Sequence, residues 1–265
     1  MKALVNYNGN LMPANAADRW LKHQPPYRAF ALLETMRWEN GDIPLLAYHF
    51  RRLFQGLAAY GFAATHTFHE KALARQLSAT VAANNLTAGA RVRMQVFPQI
   101  IGNGFPAFLM ECQTLPPRTI PLSVGLAKKV FIQRSRAAGF KTNHRAVYEK
   151  AAQEANAAGW DEALLCNDAG RIVESTVANI FWVEGERWLT PPLTEGCVAG
   201  VMRAYLLDTL PAAKVRVAEA LLTLERLFHA DAVFLTNALR GIRPVRNISG
   251  SETYSTGRFV SLRPF

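Results

Sequence analysis

The sequence predicts two mixed α/β domains. Strand-like and helical stretches alternate along the whole chain, with no internal repeat and no low-complexity tract. The chain has 265 residues, half of them hydrophobic, which is enough to bury one large or two medium cores. The stiff, apolar-poor stretch Thr114-Leu115-Pro116-Pro117-Arg118 is the best domain boundary. Residues 1–117 are therefore expected to form a smaller α/β domain and residues 118–265 a larger one.

Composition excludes several classes. A charged fraction of 19% with recurring apolar residues argues against wholesale disorder. The net charge of +10 raises a nucleic-acid-binding module as an alternative. Such a module concentrates Lys and Arg in a stripe with interleaved aromatics, whereas here they are scattered in small groups at Lys128–Lys129, Arg134–Arg136 and Arg240–Arg246. A positive site that attracts small anions is the better use of this charge. Cys112, Cys166 and Cys197 are odd in number and widely spaced, so they suggest neither a disulfide framework nor a zinc site, and buried free thiols are expected. The start of the chain lacks the apolar core and cleavage site of a secretion signal, and no run approaches a membrane span. A cytoplasmic protein without membrane or nucleic-acid partners is the expectation.

Residues 3 to 8 read as a short strand broken at Asn8-Gly9-Asn10, and Pro25-Pro26 is a further break. Phe30 to Met36 is β-like. Glu39-Asn40-Gly41-Asp42 reads as a hairpin turn, because Asn-Gly accepts positive φ, with Ile43 to Leu46 as the returning strand. A helix follows from about Tyr48, with Leu53, Leu57 and Tyr60 at helical spacing, Gly61 as its stop, and Arg51 and Arg52 in its first turns. Residues 69 to 84 form a second amphipathic helix. His69-Glu70 does not open a zinc-protease motif, because the position four after His69 is Leu73. Arg91 to Phe97 and Ala107 to Gln113 are strands joined by a Gly-containing loop at Ile101–Phe105.

The second half opens with Ser123–Gln133, strand-like in composition, and a loop from Arg134 to Phe140 that delivers Lys141. Gly139-Phe140-Lys141-Thr142 is not a phosphate-binding P-loop, since Phe140 interrupts the glycine–lysine pair. Asn143 is placed to cap the alanine-rich helix that follows. Glu162 to Asn167, a turn at Asp168-Ala169-Gly170 and Arg171 to Thr176 form one hairpin. Asn179 to Val183 and Arg187 to Thr190 form another around Glu184-Gly185-Glu186, ended by Pro191-Pro192. A helix near Leu221–Phe228, a strand at Ala232–Thr236 and short strands to Phe265 complete the chain.

Three residues in this half point to chemistry. Lys141 offers a reactive amine, Glu174 an acid in a β-like run, and Gly200 stands where a helix begins. Lysine amines join carbonyl cofactors covalently. A carboxylate beside a pyridine nitrogen keeps it protonated, so that the ring draws electrons from the substrate. Arginine and a helix N-terminus supply phosphate donors. Together they suggest a site for pyridoxal 5′-phosphate.

Several blocks then carry a family resemblance: LLETMR (Leu32–Arg37), HFRRL (His49–Leu53), KTNHRAVY (Lys141–Tyr148), DEALL…G.IVEST.ANIFW (Asp161–Trp182), LTPPL…G (Leu189–Gly196), AGVMR (Ala199–Arg203) and TNALRGIRPV (Thr236–Val245). In order and spacing the chain resembles the class IV aminotransferases, the pyridoxal-phosphate enzymes of fold-type IV. That family includes branched-chain aminotransferases, D-amino acid transaminases and 4-amino-4-deoxychorismate lyases. The resemblance covers nearly the whole chain. It implies a two-domain, D-amino acid aminotransferase-like fold with the cofactor lysine on the larger domain, and a homodimer acting on small anionic amino and oxo acids.

Residue by residue, the resemblance implies that Lys141 is the Schiff-base lysine and proton shuttle, and that Glu174 faces the pyridine nitrogen. Arg52, not Arg51, would hold the phosphate. The backbone N–H groups of Val201 and Met202, after Gly200, would complete the phosphate cup, with a side-chain contact from Thr236 or Asn237. Glu34 and Arg93 fall toward the substrate. The sequence also departs from the family. The tyrosine that follows the lysine in branched-chain enzymes is replaced by Ala146, with Arg145 before it and Tyr148 later in the helix. Met202 stands for the threonine of the GITR motif, and the RG motif of D-amino acid transaminases is absent after Arg93-Met94-Gln95. The stretches KTNHR, ANIFW, AGVMR and TNAL…PV are closer to the deoxychorismate lyases. The activity expected is amino transfer between an amino acid and a 2-oxo acid, with 4-amino-4-deoxychorismate lyase, giving 4-aminobenzoate and pyruvate, as the alternative.

Overall fold

The computed structural model describes residues 3–17, 30–62, 68–97, 106–116, 121–135, 139–249 and Tyr254. Pro25-Pro26, the Ile101–Phe105 loop, Pro117-Arg118 and, apart from Tyr254, the tail beyond residue 249 lie outside the described residues. The chain divides into two compact units. Unit 1 comprises Met1–Pro117 and Lys141–His144, and unit 2 comprises Arg118–Phe140 and Arg145–Phe265.

Unit 1 is built on strands β1 (Leu4–Tyr7), β2 (Asn10–Pro13), β3 (Leu32–Glu39), β4 (Gly89–Phe97) and β5 (Ala107–Gln113). They form one antiparallel sheet in the order β2-β1-β5-β4-β3. Alternation decides which face is inside: Ala90, Val92, Met94 and Val96 of β4 are buried, while Arg91, Arg93 and Gln95 between them are not. Helix α1 (Leu46–Ala59) packs on β3 through His49, Phe50, Leu53 and Leu57. Helix α2 (Glu70–Ala83) packs on β1, β4 and β5 through Leu73, Leu77 and Val81. The buried Asn6 of β1 fixes α2 further, its amide donating to Gln76 Oε1 (2.9 Å) and Thr80 Oγ1 (3.0 Å).

Two expectations change in unit 1. Ile43 to Leu46 is not a returning strand: Asn40 and Gly41 turn the chain with positive φ, but only Asp42 pairs back, with Glu39. Pro44 has no N–H for a ladder and Leu45 adopts φ 63°, so α1 begins directly afterwards. Lys141, expected on the larger domain, falls in unit 1. Leu33 N–H donates to the Lys141 carbonyl (2.8 Å), Thr142 bridges Leu32, and Asn143 N–H donates to the Ala31 carbonyl (3.0 Å). These bonds lay Lys141–His144 along the start of β3.

Unit 2 contains β6 (Leu122–Leu126), β7 (Glu162–Cys166), β8 (Ile172–Ser175), β9 (Asn179–Glu184), β10 (Arg187–Thr190), β11 (Arg216–Glu219), β12 (Ala232–Asn237) and β13 (Gly241–Ile248). Their order is β11-β10-β9-β12-β13-β6-β7-β8, and β8 also pairs with β9. Six strands, from β9 around to β8, therefore close into a ring, with β10 and β11 extending from it. Closure rests on one residue pair, Glu174 with Asn179. Leu122, Val124, Leu164, Ile180, Trp182, Val233 and Leu235 contribute to the apolar core.

The parallel pairs β13–β6 and β6–β7 need crossovers. Helix α3 (Ala146–Ala158) supplies the second and packs on β7 through Ala151 and Ala155. Helix α4 (Val201–Thr209) packs on β12, and the short helix α5 (Leu224–Phe228) is capped by the Thr223 hydroxyl. The strand expected over Ser123–Gln133 ends at Leu126, after which only Ile132 bridges, to Asn167. Asn143 does not cap α3. Arg145 holds the cap position, and the Asn143 side chain instead accepts from Ala31 N–H (2.9 Å).

Gly125 lies on β6 against the Trp160 indole, where an added Cβ would fall 2.0 Å from a ring carbon. Gly125→Ala is expected to cost about 1–3 kcal/mol through overpacking, read as a lower midpoint in urea denaturation.

Candidate active site

In unit 1 the site is built around a buried carboxyl. Glu34 is 2% exposed and His49 is fully buried. Arg52 meets Glu34 through both Nε (2.8 Å to Oε1) and Nη2 (2.5 Å to Oε2), and His49 Nδ1 lies 2.5 Å from Oε2. Helical spacing from His49 to Arg52 places both on the face of α1 that meets β3. A fork of two bonds fixes the guanidinium plane. Glu34 thus positions Arg52, rather than standing open toward a substrate. Arg51, one residue earlier, is exposed and stacks on the Tyr48 ring at 4.5 Å. Arg93 points from the other face of the sheet, 3.7 Å from Glu111.

Burial pushes the Glu34 carboxyl up, but the Arg52 charge and the His49 hydrogen bond outweigh it and hold the pKa at about 2. Burial pushes the His49 imidazole down, opposed by Glu34 and assisted by the charges of Arg52 and Lys141. The histidine is therefore neutral, and its Nδ1–H donates a hydrogen bond to the Glu34 carboxylate. Its Nε2 is buried with no hydrogen-bond partner. Lys141 itself is half-buried, and its backbone is pinned to β3 directly before Glu34.

In unit 2 the centre is Glu174, on β8 and 3% exposed. The Tyr148 hydroxyl of α3 donates to Oε1 (2.7 Å). Oε2 accepts from Val198 N–H (3.1 Å) and from the Asn179 amide (3.3 Å). The strand is anchored one step further on: Ser175 and Thr176 hydroxyls donate to Glu162 (2.7 and 2.9 Å), which pairs with the buried Arg243 at 2.5 Å. Burial and the Glu174 charge push the Tyr148 phenol well above its ordinary value, so it remains a donor. The sequence reading gave no role to Asn179, and it named Tyr148 only as a tyrosine later in the helix. Tyr148 could have been found: it lies three and seven residues before Ala151 and Ala155, so it shares their buried face.

Helix α4 starts where expected, with Gly200 as its N-cap. A Cβ there would fall 1.8 Å from Asn179 Oδ1, so only glycine lets the helix begin this close to the Glu174 cluster. The Val201 and Met202 N–H groups lack intrahelical partners by position. Arg203 anchors the helix by donating to the Pro191 carbonyl (2.9 Å) and pairing with Glu219. On β12 the Thr236 hydroxyl is buried, 1% exposed, and has no hydrogen-bond partner among the described residues. Asn237 is otherwise engaged: its amide donates to the Val177 carbonyl (3.2 Å), and its carbonyl accepts from the N–H groups of Leu239 (3.1 Å) and Arg240 (2.8 Å). Of these two residues, Thr236 has the hydroxyl to offer a phosphate.

Burial pushes the Cys112 and Cys197 thiols up to about 12 and also raises that of Cys166, which disfavours the thiolate at all three. Among the described residues no group of three or more His, Cys, Asp or Glu could hold a metal, and no helix is long and apolar enough to cross a membrane.

The architecture is that of a fold-type IV enzyme. The chain is similar in structure to the branched-chain amino acid aminotransferase of Escherichia coli, with a TM-score of 0.82 at 18% identity over 96% of this chain and 89% of that one. It belongs to the class IV aminotransferase family, whose model matches residues 31–248 and so takes in every site residue named above. Members of this family are pyridoxal-phosphate-dependent aminotransferases and lyases. Two relatives are aminodeoxychorismate lyases. One, from Bacillus subtilis (strain 168), is 27% identical over 228 residues, 82% of this chain and 77% of that protein. The other, from Vibrio harveyi, is 38% identical over 115 residues, 43% of this chain, and the match spans only 42% of that lyase.

The Glu34–His49 pair sets a pH dependence. Both groups have folded pKa values below their unfolded ones, so on acidification the unfolded chain takes up protons that the fold refuses, and stability is lost as the pH is lowered. The His49 contribution is lost below about 6.5 and that of Glu34 from 4.5 down to about 2. Glu34 accounts for on the order of 3 kcal/mol. Urea denaturation across this range is expected to show both losses. His49→Gln should flatten the upper limb and Glu34→Gln the lower.

Proposed function

We propose that the protein is a class IV aminotransferase that moves an amino group between an amino acid and a 2-oxo acid through pyridoxal 5′-phosphate. The observation that carries this reading is Glu174: a buried carboxylate, braced by side chains of α3 and β9 and by the Val198 backbone, suited to accept a hydrogen bond from a protonated ring nitrogen. The unpartnered Thr236 hydroxyl and the α4 start at Gly200 support the same cofactor, because both are donors suited to its phosphate.

When bound, pyridoxal 5′-phosphate supplies an electron sink for negative charge at the substrate carbon. Lys141 would hold the cofactor through Nζ and would move a proton at that same atom. Glu174 would keep the ring nitrogen protonated, with Tyr148 and Asn179 fixing the carboxylate. Arg52 would bind the phosphate, kept in register by Glu34 and His49. Val201 and Met202 N–H groups and the Thr236 hydroxyl would complete that grip. Arg93 lies on the substrate side. The reading carries with it a homodimer, as the resemblance implies, and a cytoplasmic location, which the widely spaced free thiols suit.

A second reading, 4-amino-4-deoxychorismate lyase, is favoured by the Bacillus subtilis relative, whose match extends over most of this chain. Both reactions need the same lysine and the same acid. A side-by-side assay separates them. One arm follows glutamate formed from 2-oxoglutarate with a panel of amino acids; the other follows 4-aminobenzoate released from aminodeoxychorismate.

The purified protein is expected to be yellow, with borohydride fixing the cofactor on Lys141, as read by peptide mass spectrometry. A label on another lysine sinks the assignment. Lys141→Ala should abolish turnover, and Glu174→Ala should lower it by orders of magnitude while some cofactor stays bound. Thr236→Val should weaken cofactor binding by roughly tenfold, measured by equilibrium dialysis.

A further inference from the structure

We propose that Arg145 anchors a substrate carboxylate. This rests on the reading of the protein as an enzyme of amino and oxo acids, and it names the group that would recognise their charge. Arg145 is half-buried at the N-cap of α3. Its guanidinium carbon lies 4.9 Å from the centroid of the Tyr148 ring, and its Nη2 donates to the Thr176 carbonyl at 2.9 Å. Stacking and one carbonyl bond fix the plane of the group while leaving most of its five N–H donors unused.

No carboxylate pairs with Arg145 among the described residues. Glu149, one turn into α3, makes no ion pair with it, and Glu174 is turned to Tyr148, Asn179 and Val198. Half-buried Arg52 and Arg171 and buried Arg203 each have a glutamate. A partly desolvated guanidinium with no counter-charge is costly unless an anion arrives from outside. Val177, next after the carbonyl that Arg145 holds, is 47% exposed, and its own carbonyl is pinned by Asn237.

The position fits the reaction. One tyrosine side chain links the guanidinium to Glu174. Arg145 also follows Lys141 by four residues, a stretch of chain that reaches at most about 14 Å. Arg93, the other arginine on the substrate side, has Glu111 beside it and needs no external anion. Planar, bidentate recognition of a carboxylate is what arginine does better than lysine.

The test titrates the full-length protein, as purified, by calorimetry with 4-methyl-2-oxopentanoate and with its carboxamide, which keeps the shape and loses the charge. The wild type should prefer the acid. Arg145→Gln should weaken the acid by roughly 10- to 100-fold and the amide by less than twofold, and Arg145→Lys should fall between. Equal losses on acid and amide, an unchanged acid affinity, or a wild type that does not prefer the acid overturns the proposal. A shifted visible band in Arg145→Gln with unchanged acid affinity would give the guanidinium to the cofactor's ring oxygen, and also overturns it. Absence of any visible band in the wild type defeats the cofactor reading separately, while the acid–amide comparison still decides the role of Arg145.

Discussion

Unit 2 is organised around the burial of one acid. A carboxyl group 3% exposed is tolerable only where donors surround it, and Glu174 draws them from separate parts of the chain. Tyr148 comes from α3, Asn179 from β9, and Val198 from the loop that leads into α4. Supplying these donors fixes three placements together: the rotation of α3, the entry of β9 and the starting point of α4. Gly200 follows from the same requirement, because any side chain there would displace the asparagine that serves the acid. Glu162, with Arg243 and two hydroxyls, secures the strand from its other side.

Unit 1 solves a related problem with opposite charges. Arg52 must present a cation, yet much of its side chain is taken from water, and a lone buried charge would be expensive. Glu34 neutralises it with a two-pronged contact, and His49 gives the carboxylate a further donor without adding charge. The Lys141 stretch is hydrogen-bonded along the same strand. The Lys141 backbone is therefore fixed inside a short connection, where chain mobility would otherwise be expected.

Much of this was legible in the sequence. Alternation in β4, the Asn-Gly turns, the helices beginning near Tyr48 and at Gly200, and the hairpins that carry Glu174 and Asn179 follow from periodicity and turn chemistry. What was not legible depended on partners far along the chain. Asn143 reads as a helix cap because capping is local, but Ala31, 112 residues away, takes its side chain. Glu34 reads as a residue free to meet substrate until α1 folds back to bring His49 and Arg52 onto it. Ile43 to Leu46 carries strand-forming residues, yet Pro44 and the left-handed Leu45 overrule them. Tyr148 was visible by its spacing, but what its hydroxyl meets is set by β8, a strand it joins only in the folded chain.

The ring of six strands is complete by virtue of a single rung, Glu174 opposite Asn179. Every other neighbouring pair in that ring shares several paired residues. The seam is thus the least zipped part of the barrel, and the side chains that serve the acid also stitch it shut. Amide protons flanking it have the fewest cooperative neighbours to break before they meet water, so breathing of the fold begins beside its buried carboxylate.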